Sequence, residues 1–307
     1  MNRLYYPLSE YLKGLFGCKV FKVTVNAGFS CPNRDGTKRV GGCVYCESAT
    51  LLPKDLNGVP DVATQLDTGI ERVRKRHKAD KFIAYFQINT NTHAPVEFLK
   101  ALYSEALRPD IAGIAVSTRP DCVNEDVAGL FAELKKKTHL WVELGLQTAN
   151  EKTLEAINRG HTASDFEDAA VRLASRGIDV TAHVIVGLPG EDRSDSLNTM
   201  EFLSRLPVRG IKFHQLQVIR GTRLERMYLD GEVALLSLDE YASVVADCLE
   251  ALPPEVVIHR LSGDAPKSFL VAPLWGANKF MIAERILGLL KERKTFQGAR
   301  KRSASPV

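Results

Sequence analysis

No apolar run in this chain approaches the roughly 20 residues that a membrane-spanning helix needs. The opening stretch MNRLYYPLSEYLKGLFG lacks an apolar signal core and a small-residue cleavage site. Neither sign of charge dominates, because 41 Lys and Arg stand against 37 Asp and Glu. That balance excludes a polyanionic or uniformly basic chain. No repeat in the solenoid range is present, and no linker divides the 307 residues into independent domains. With 45% hydrophobic and 25% charged residues, the chain can bury one sizeable core. A cytoplasmic protein with no membrane association is expected.

Cysteine is present, but not as a disulfide framework: six in a chain of this size and expected compartment are too few and too scattered. Cys18, Cys122 and Cys248 read as small buried hydrophobes. The other three crowd into SCPNRDGTKRVGGCVYCES (30–48), a polar, glycine-bearing stretch with no core-forming run.

The rest of the chain alternates strand-like and helix-like segments. Strand candidates are 20–26, 81–88, 111–117, 140–146, 179–187 and 211–219, several apolar on both faces. Helical periodicity occupies 61–77, 124–136 with Asn124 as N-cap, and 164–176 with a Ser164/Glu167 capping-box spacing and a stop at Gly177. It returns at 194–206 and 239–251. Six such alternations predict an α/β fold, a partial parallel (β/α)6 barrel wound with right-handed crossovers. One further strand-like run, VVIHRL (256–261), follows, which is too little for an eight-stranded barrel. The expected organisation is an N-terminal extension (1–19) and the barrel (20–225), with the cysteine loop at 26–50. A C-terminal helical segment (226–290) packs on the barrel, and a basic tail (291–307) follows. The tail carries a net charge of +5 and leaves the remainder near −1. It reads first as a solvated, disordered end and second as an arm for phosphates. Function belongs at the C-terminal ends of the strands. There the sequence places the cysteine loop, NTNTH (89–93), STRPD (117–121), QTAN (147–150), GLPGE (187–191) and RGTR (220–223).

Cys31, Cys43 and Cys46 have the spacing C-x11-C-x2-C, and residues 26–60 contain no further Cys or His. Clustered thiols in a reducing compartment point to metal, and three ligands leave one position open. Two readings stand: a catalytic zinc holding water, or a four-iron cubane with one iron lacking a protein ligand. Gly36, Gly41 and Gly42 let the backbone wrap a bulky group, which favours the cubane. Tyr45 could shield it or stack on a ligand. Glu143 sits inside a strand between apolar neighbours, where an unpaired carboxylate would be costly; a ligand hydroxyl or Arg119 could satisfy it, or it forms a buried ion pair with no further role. His183 and His214, alone within strands, read as satisfied core histidines.

An open iron on such a cluster can chelate the amino and carboxylate groups of S-adenosylmethionine. The cysteine loop, with STRPD, VELGLQT (142–148), INRGHT (157–162), GLPGE and VIRGTRLE (218–225), resembles the radical S-adenosylmethionine superfamily. The first gap is longer than that family's usual C-x3-C-x2-C. The strand-end strings are similar to the radical domain of the Elongator catalytic subunit; its acetyltransferase domain has no counterpart in this sequence. The resemblance implies that Cys31, Cys43 and Cys46 ligate a 4Fe–4S cluster, and that S-adenosylmethionine is cleaved to a 5′-deoxyadenosyl radical. Flavodoxin or ferredoxin would be the reductant, and tRNA, at the C5 side chain of a wobble uridine, the implied substrate. The family's glycine-rich motif after the second strand is absent, and Asn89, Thr90, Asn91 and Thr92 stand in its place. Gln147 is implied near the ribose or methionine portion, with Gly187, Pro189 and Gly190 near the adenosyl moiety. Arg220 and Arg223 are loop candidates for substrate phosphate. His259, Arg260 and Asp264, in the polar run IHRLSGDAP, are candidates for the substrate side. The alternatives are a radical enzyme acting on a small molecule or a protein, and a non-catalytic metal-binding module that docks nucleic acid.

Overall fold

The computed structural model describes residues 3–47 and 61–302, without the side chains of 301 and 302. Residues 1–2, the end of the cysteine loop (48–60) and the last five residues of the basic tail lie outside the described residues.

Seven strands form one parallel sheet: β1 (Val20–Val25), β2 (Lys81–Phe86), β3 (Ile111–Thr118), β4 (His139–Gln147), β5 (Asp179–Val186), β6 (Gly210–Gln215) and β8 (Val257–Arg260). They lie in that order, every pair is parallel, and the sheet curls into a half-barrel whose edge strands β1 and β8 do not pair. The outer face carries Val23, Phe86, Val116, Val142, Ala182 and Phe213. It is covered by α2 (Val62–His77), α3 (Val96–Ser104), α4 (Glu125–Lys135), α6 (Ala163–Ala174), α7 (Arg193–Ser204) and α9 (Leu238–Ala251) in one continuous core. Burial on both faces explains the near-continuous apolar strand runs. The inward positions are different: Lys22, Tyr85, Glu143, His183 and Lys212 are polar and meet inside the barrel.

The structure corrects the expectation in four places. The barrel has seven strands, not six, because VVIHRL joins the sheet beside β6 instead of closing it as a separate segment. The run 211–219 is two strands: the Gln215 side chain bonds Gly263 and Gly276, and the chain turns to pair β7 (Val218–Ile219) with β9 (Leu270–Ala272). The capping box of α6 is Thr162 with Asp165, two residues earlier than Ser164 and Glu167. The basic segment is folded back. Arg293 and Arg300 bind the buried Asp247 and the largely buried Glu250 of α9, which holds residues 293–300 against the barrel's outer helices.

The N-terminal residues also have a place. Helix α1 (Leu8–Phe16) puts Leu12 against Ile83, Ala115 and Trp141 inside the barrel's N-terminal end. Its Tyr11 hydroxyl donates to Asp179, and Tyr6 carries the backbone carbonyl that takes Ile258 N–H. The bottom of the barrel is thereby plugged, and the C-terminal end remains the accessible face. No helix among the described residues is long and apolar enough to cross a membrane.

Candidate active site

Cys31, Cys43 and Cys46 line one cavity of about 140 Å³, together with Arg34, Tyr45, Asn89, Thr90, Arg119, Gln147, Arg159 and His183 among others. The loop that carries them has little regular structure and is held by its neighbours. Asn158 donates to the carbonyls of Val40 and Gly42, at 3.1 and 2.8 Å. Val44 is bonded at both backbone groups, its N–H to Ile157 and its carbonyl to Leu224 N–H. Asn33, fully buried, donates to the carbonyls of Asn158 and Arg159. A Cβ at Gly160 would stand 2.6 Å from the Asn33 Oδ1, and its φ is +71°, so only glycine fits that contact. The string INRGHT, quoted in the sequence but given no residue roles there, is thus the dock for the cysteine loop.

Arg159 is the residue that sequence reasoning missed. Its buried guanidinium lies 3.6 Å from the Cys43 Sγ, donates to Gly145 O at 2.7 Å and donates through Nε to His161 Nε2. With its Nδ1–H directed at Thr162 O, His161 offers Nε2 as the acceptor. Burial, then the charge of Arg159, pushes His161 down to about 3, consistent with a neutral ring. Burial alone would push the Cys43 thiol up, but Arg159 and Arg119 outweigh it and hold it below its ordinary value. Burial and the neighbouring Cys43 push Cys46 up to about 11, against the pull of Arg34. Asn33 Nδ2 also lies 3.6 Å from Cys43 Sγ, a second donor to the same sulfur.

These residues fit an iron–sulfur cluster better than a single ion. No group of three or more His, Cys, Asp or Glu side chains among the described residues is placed to hold one ion. The three thiols instead line the wall of one cavity, as thiolates at separate corners of a cluster would. His183 also lines it, but its Nε2 is bonded to Glu143. The Thr90 Oγ1 is buried without a hydrogen-bond partner at the same wall.

A second cavity of about 610 Å³ fills the barrel interior and shares Tyr45, Cys46, Asn89, Ser117, Gln147 and His183 with the first. Its floor rests on Glu143, which is 0% exposed. Lys22 Nζ lies 2.5 Å from Oε1 and Lys212 Nζ 2.7 Å from Oε2. The Tyr85 hydroxyl, the His183 Nε2–H and the Trp141 Nε1–H also donate to it. Burial would raise this carboxyl, but Lys212 and Lys22 hold it well below the usual carboxylate range. Burial in turn pushes the Lys212 ammonium down to about 7, against the opposing pull of Glu143.

The remaining expectations sort by position. Tyr45, Asn89, Thr90 and Gln147 line the cysteine cavity, and Arg260 and Asp264 line the barrel chamber. Gln147 adopts φ +78°, a left-handed conformation uncommon outside glycine, where the β4–β5 register shifts. Asn91 and Thr92 face neither cavity: Asn91 donates to Ile88 O and Ser117 O, and Thr92 to Cys122 O. Arg119 does not reach Glu143. It clasps Asp121 with two bonds of 2.9 Å and donates to Arg159 O, so it braces the INRGHT dock while lining the cysteine cavity. Glu143 needs no ligand hydroxyl, since strand-borne donors fill its environment. Gly187 and Pro189 line neither cavity, and a Cβ at Gly187 would press on Leu236 at 3.1 Å. Arg220 and Arg223 are exposed beside Ile219 at the chamber's edge. His259 is buried beneath the floor, 3.6 Å from Glu143. The partners of Glu143 come from five strands, and no local pattern in the sequence marks them as neighbours.

A family profile for the radical SAM superfamily matches residues 31–203, and one for a radical SAM C-terminal domain matches 208–292. The protein YtqA of Bacillus subtilis (strain 168) is 42% identical over 298 residues, covering 97% of this chain and 92% of that protein. A tRNA uridine(34) acetyltransferase from Dehalococcoides mccartyi is 29% identical over 177 residues, 56% of this chain but only 37% of the relative. Among solved structures, the archaeal Methanocaldococcus infernus Elp3 lacking residues 1–46 superposes with a TM-score of 0.70. It has 18% identity and covers 91% of this chain and 64% of that one, a likeness of fold. The chain is an enzyme of the radical SAM superfamily, whose members use a 4Fe–4S cluster and S-adenosylmethionine.

Proposed function

We propose that Cys31, Cys43 and Cys46 hold the cluster, that S-adenosylmethionine binds between the two cavities, and that the barrel chamber receives a wobble uridine of tRNA for modification of its C5 side chain. One observation carries this reading: the three cysteines wall a cavity that shares six residues with a substrate-sized chamber. When bound, the cluster and S-adenosylmethionine supply a 5′-deoxyadenosyl radical, a reagent for C–H bonds that acid–base catalysis does not ionise.

The chain's own residues do the rest. Arg159 and Asn33 donate to the Cys43 sulfur and set its charge environment. Tyr45, Asn89 and Gln147 stand at the junction and orient the cosubstrate; Glu143 acts through its floor network, not by contact. Tyr45 and the half-closed barrel exclude water from the path between cavities. Arg220 and Arg223 offer exposed cations to RNA phosphates at the rim. Gly190, at φ +80°, shapes the turn after β5. Residues 20–225 together with β8 (Val257–Arg260) form the catalytic barrel, and the rest of 226–290 packs on it; flavodoxin or ferredoxin is the reductant, and the cytoplasm is the setting. Support for tRNA comes from the relative named for uridine 34, of which this chain spans 37%.

Nucleoside mass spectrometry of tRNA from cells with and without the gene tests the substrate. A changed wobble-uridine side chain is expected. An unchanged profile, in cells whose protein still cleaves S-adenosylmethionine, turns the reading to a small-molecule or protein substrate.

A further inference from the structure

The chamber floor holds more positive charge than its carboxylate balances. Glu143 is matched to Lys22 and Lys212. Arg260, the next cation on the floor, has no carboxylate in ion-pair range among the described residues. Its Nη2 meets the His214 ring at 2.9 Å, and its buried Nε has no hydrogen-bond partner. The Gln217 Nε2 is likewise buried and unpartnered. Arg260, Gln217 and Lys212 all line the chamber. The two other acids on the lining are engaged elsewhere. Asp264 is at the mouth, its side chain 60% exposed and 3.7 Å from Lys279, and Glu47 lies beside Arg34 on the cysteine side.

A guanidinium sheltered from water without a counter-charge is unfavourable, as is a buried N–H with no acceptor. Two such groups on one wall, next to an ammonium, make the donor set that recognises an oxyanion. We propose that Lys212, Arg260 and Gln217 form a subsite for an oxyanion of the substrate, a carboxylate or phosphate oxygen held deep in the chamber. The inference rests on the reading of the chamber as the substrate's place, and it adds the charge that the substrate must carry there. The subsite lies on β6, on β8 and on the link between β6 and β7, and none of its three residues lines the cysteine cavity, so it is distinct from the cosubstrate junction.

Isothermal titration of the full chain, purified without a cluster, tests it with sodium phosphate and with sodium acetate against sodium chloride at equal ionic strength. Saturable binding of at least one oxyanion is expected; phosphate alone indicates a phosphate source and acetate a carboxylate. Arg260→Gln should weaken binding about tenfold or more, the loss of one charge-assisted hydrogen bond. Arg260→Lys should keep part of it, and Gln217→Leu should weaken it several-fold, with folding checked by circular dichroism. No binding beyond chloride, or undiminished binding in Arg260→Gln, overturns the proposal. In cluster-loaded protein saturated with S-adenosylmethionine the anion should still bind. Competition would assign these cations to the methionine carboxylate and overturn the subsite. Because the first titration needs neither cluster nor radical chemistry, its failure is separable from failure of the functional reading.

Discussion

The two cavities solve opposite problems. On the chamber floor, one buried carboxylate is saturated by donors from the strands themselves, Lys22, Tyr85, His183 and Lys212 with Trp141 beside it. At the cysteine wall, thiols ride on an irregular loop, and the donors that reach Cys43 come from another loop, INRGHT, and from Asn33. The Glu143 carboxylate is satisfied by protein atoms alone and belongs to the folding of the barrel. The wall is held in shape by hydrogen bonds but keeps its sulfurs for something else. The contrast separates residues whose loss unfolds the chain from residues whose loss disarms it.

Single substitutions sharpen that contrast. The largest effect is expected at the wall: Cys43→Ala should abolish bound iron in anaerobically reconstituted protein, yet leave the urea midpoint of the cluster-free chain nearly unchanged. At the floor the pattern reverses. Glu143→Ala strands Lys22 and Lys212 without a counter-charge, and urea denaturation should show a loss of about 3–5 kcal/mol. If Glu143→Ala were as stable as the parent, the floor would not be the folding element described.

Acid should strike the floor next. Burial pushes His183 down to about 3 and His259 down to about 4, against roughly 6.5 in an unfolded chain. Below pH 6.5 the unfolded chain therefore binds protons that the folded chain refuses. Their neutral-ring stability is complete above pH 6.5 and is lost as pH falls toward 4. His259 accounts for about 3 kcal/mol of that loss. Thermal melts at pH 7 and pH 4.5 should diverge less in His259→Gln than in the parent; an equal divergence would remove His259 from the account. Arg159→Lys lies between the two regions. It keeps a charge near Cys43 but loses the fork to Gly145 and His161, costing about 1–2 kcal/mol and shifting the cluster's reduction potential measurably. The smallest effect belongs far from both cavities: Arg300→Ala leaves Asp247 still paired with Arg193 and Arg293 and should cost no more than about 1 kcal/mol.

Much of the architecture was legible in the sequence because parallel strands buried on both faces leave long apolar runs, and the helices between them carry caps such as Asn124. The seventh strand was visible as VVIHRL, but its membership in the sheet depends on pairing with β6, which no local pattern states. The cysteines stood out because three thiols in a polar loop have no core explanation. Glu143 stood out for the same reason, yet its partners did not, since they meet only through strand register, as where Gly145 lies across from His183. Arg159 was hidden in plain view: an arginine between asparagine and glycine reads as a loop charge until the loop is seen against Cys43. The basic tail misled because charge alone does not reveal that Asp247 and Glu250 wait on α9 to receive it.

The central claim is that three cysteines leave one iron of a four-iron cluster for S-adenosylmethionine. Mössbauer spectra of protein reconstituted with ⁵⁷Fe, recorded before and after S-adenosylmethionine is added, test it most directly. One iron site should change its isomer shift while the other three keep theirs. Spectra unaltered by S-adenosylmethionine, or a protein that binds zinc and no iron, would contradict it.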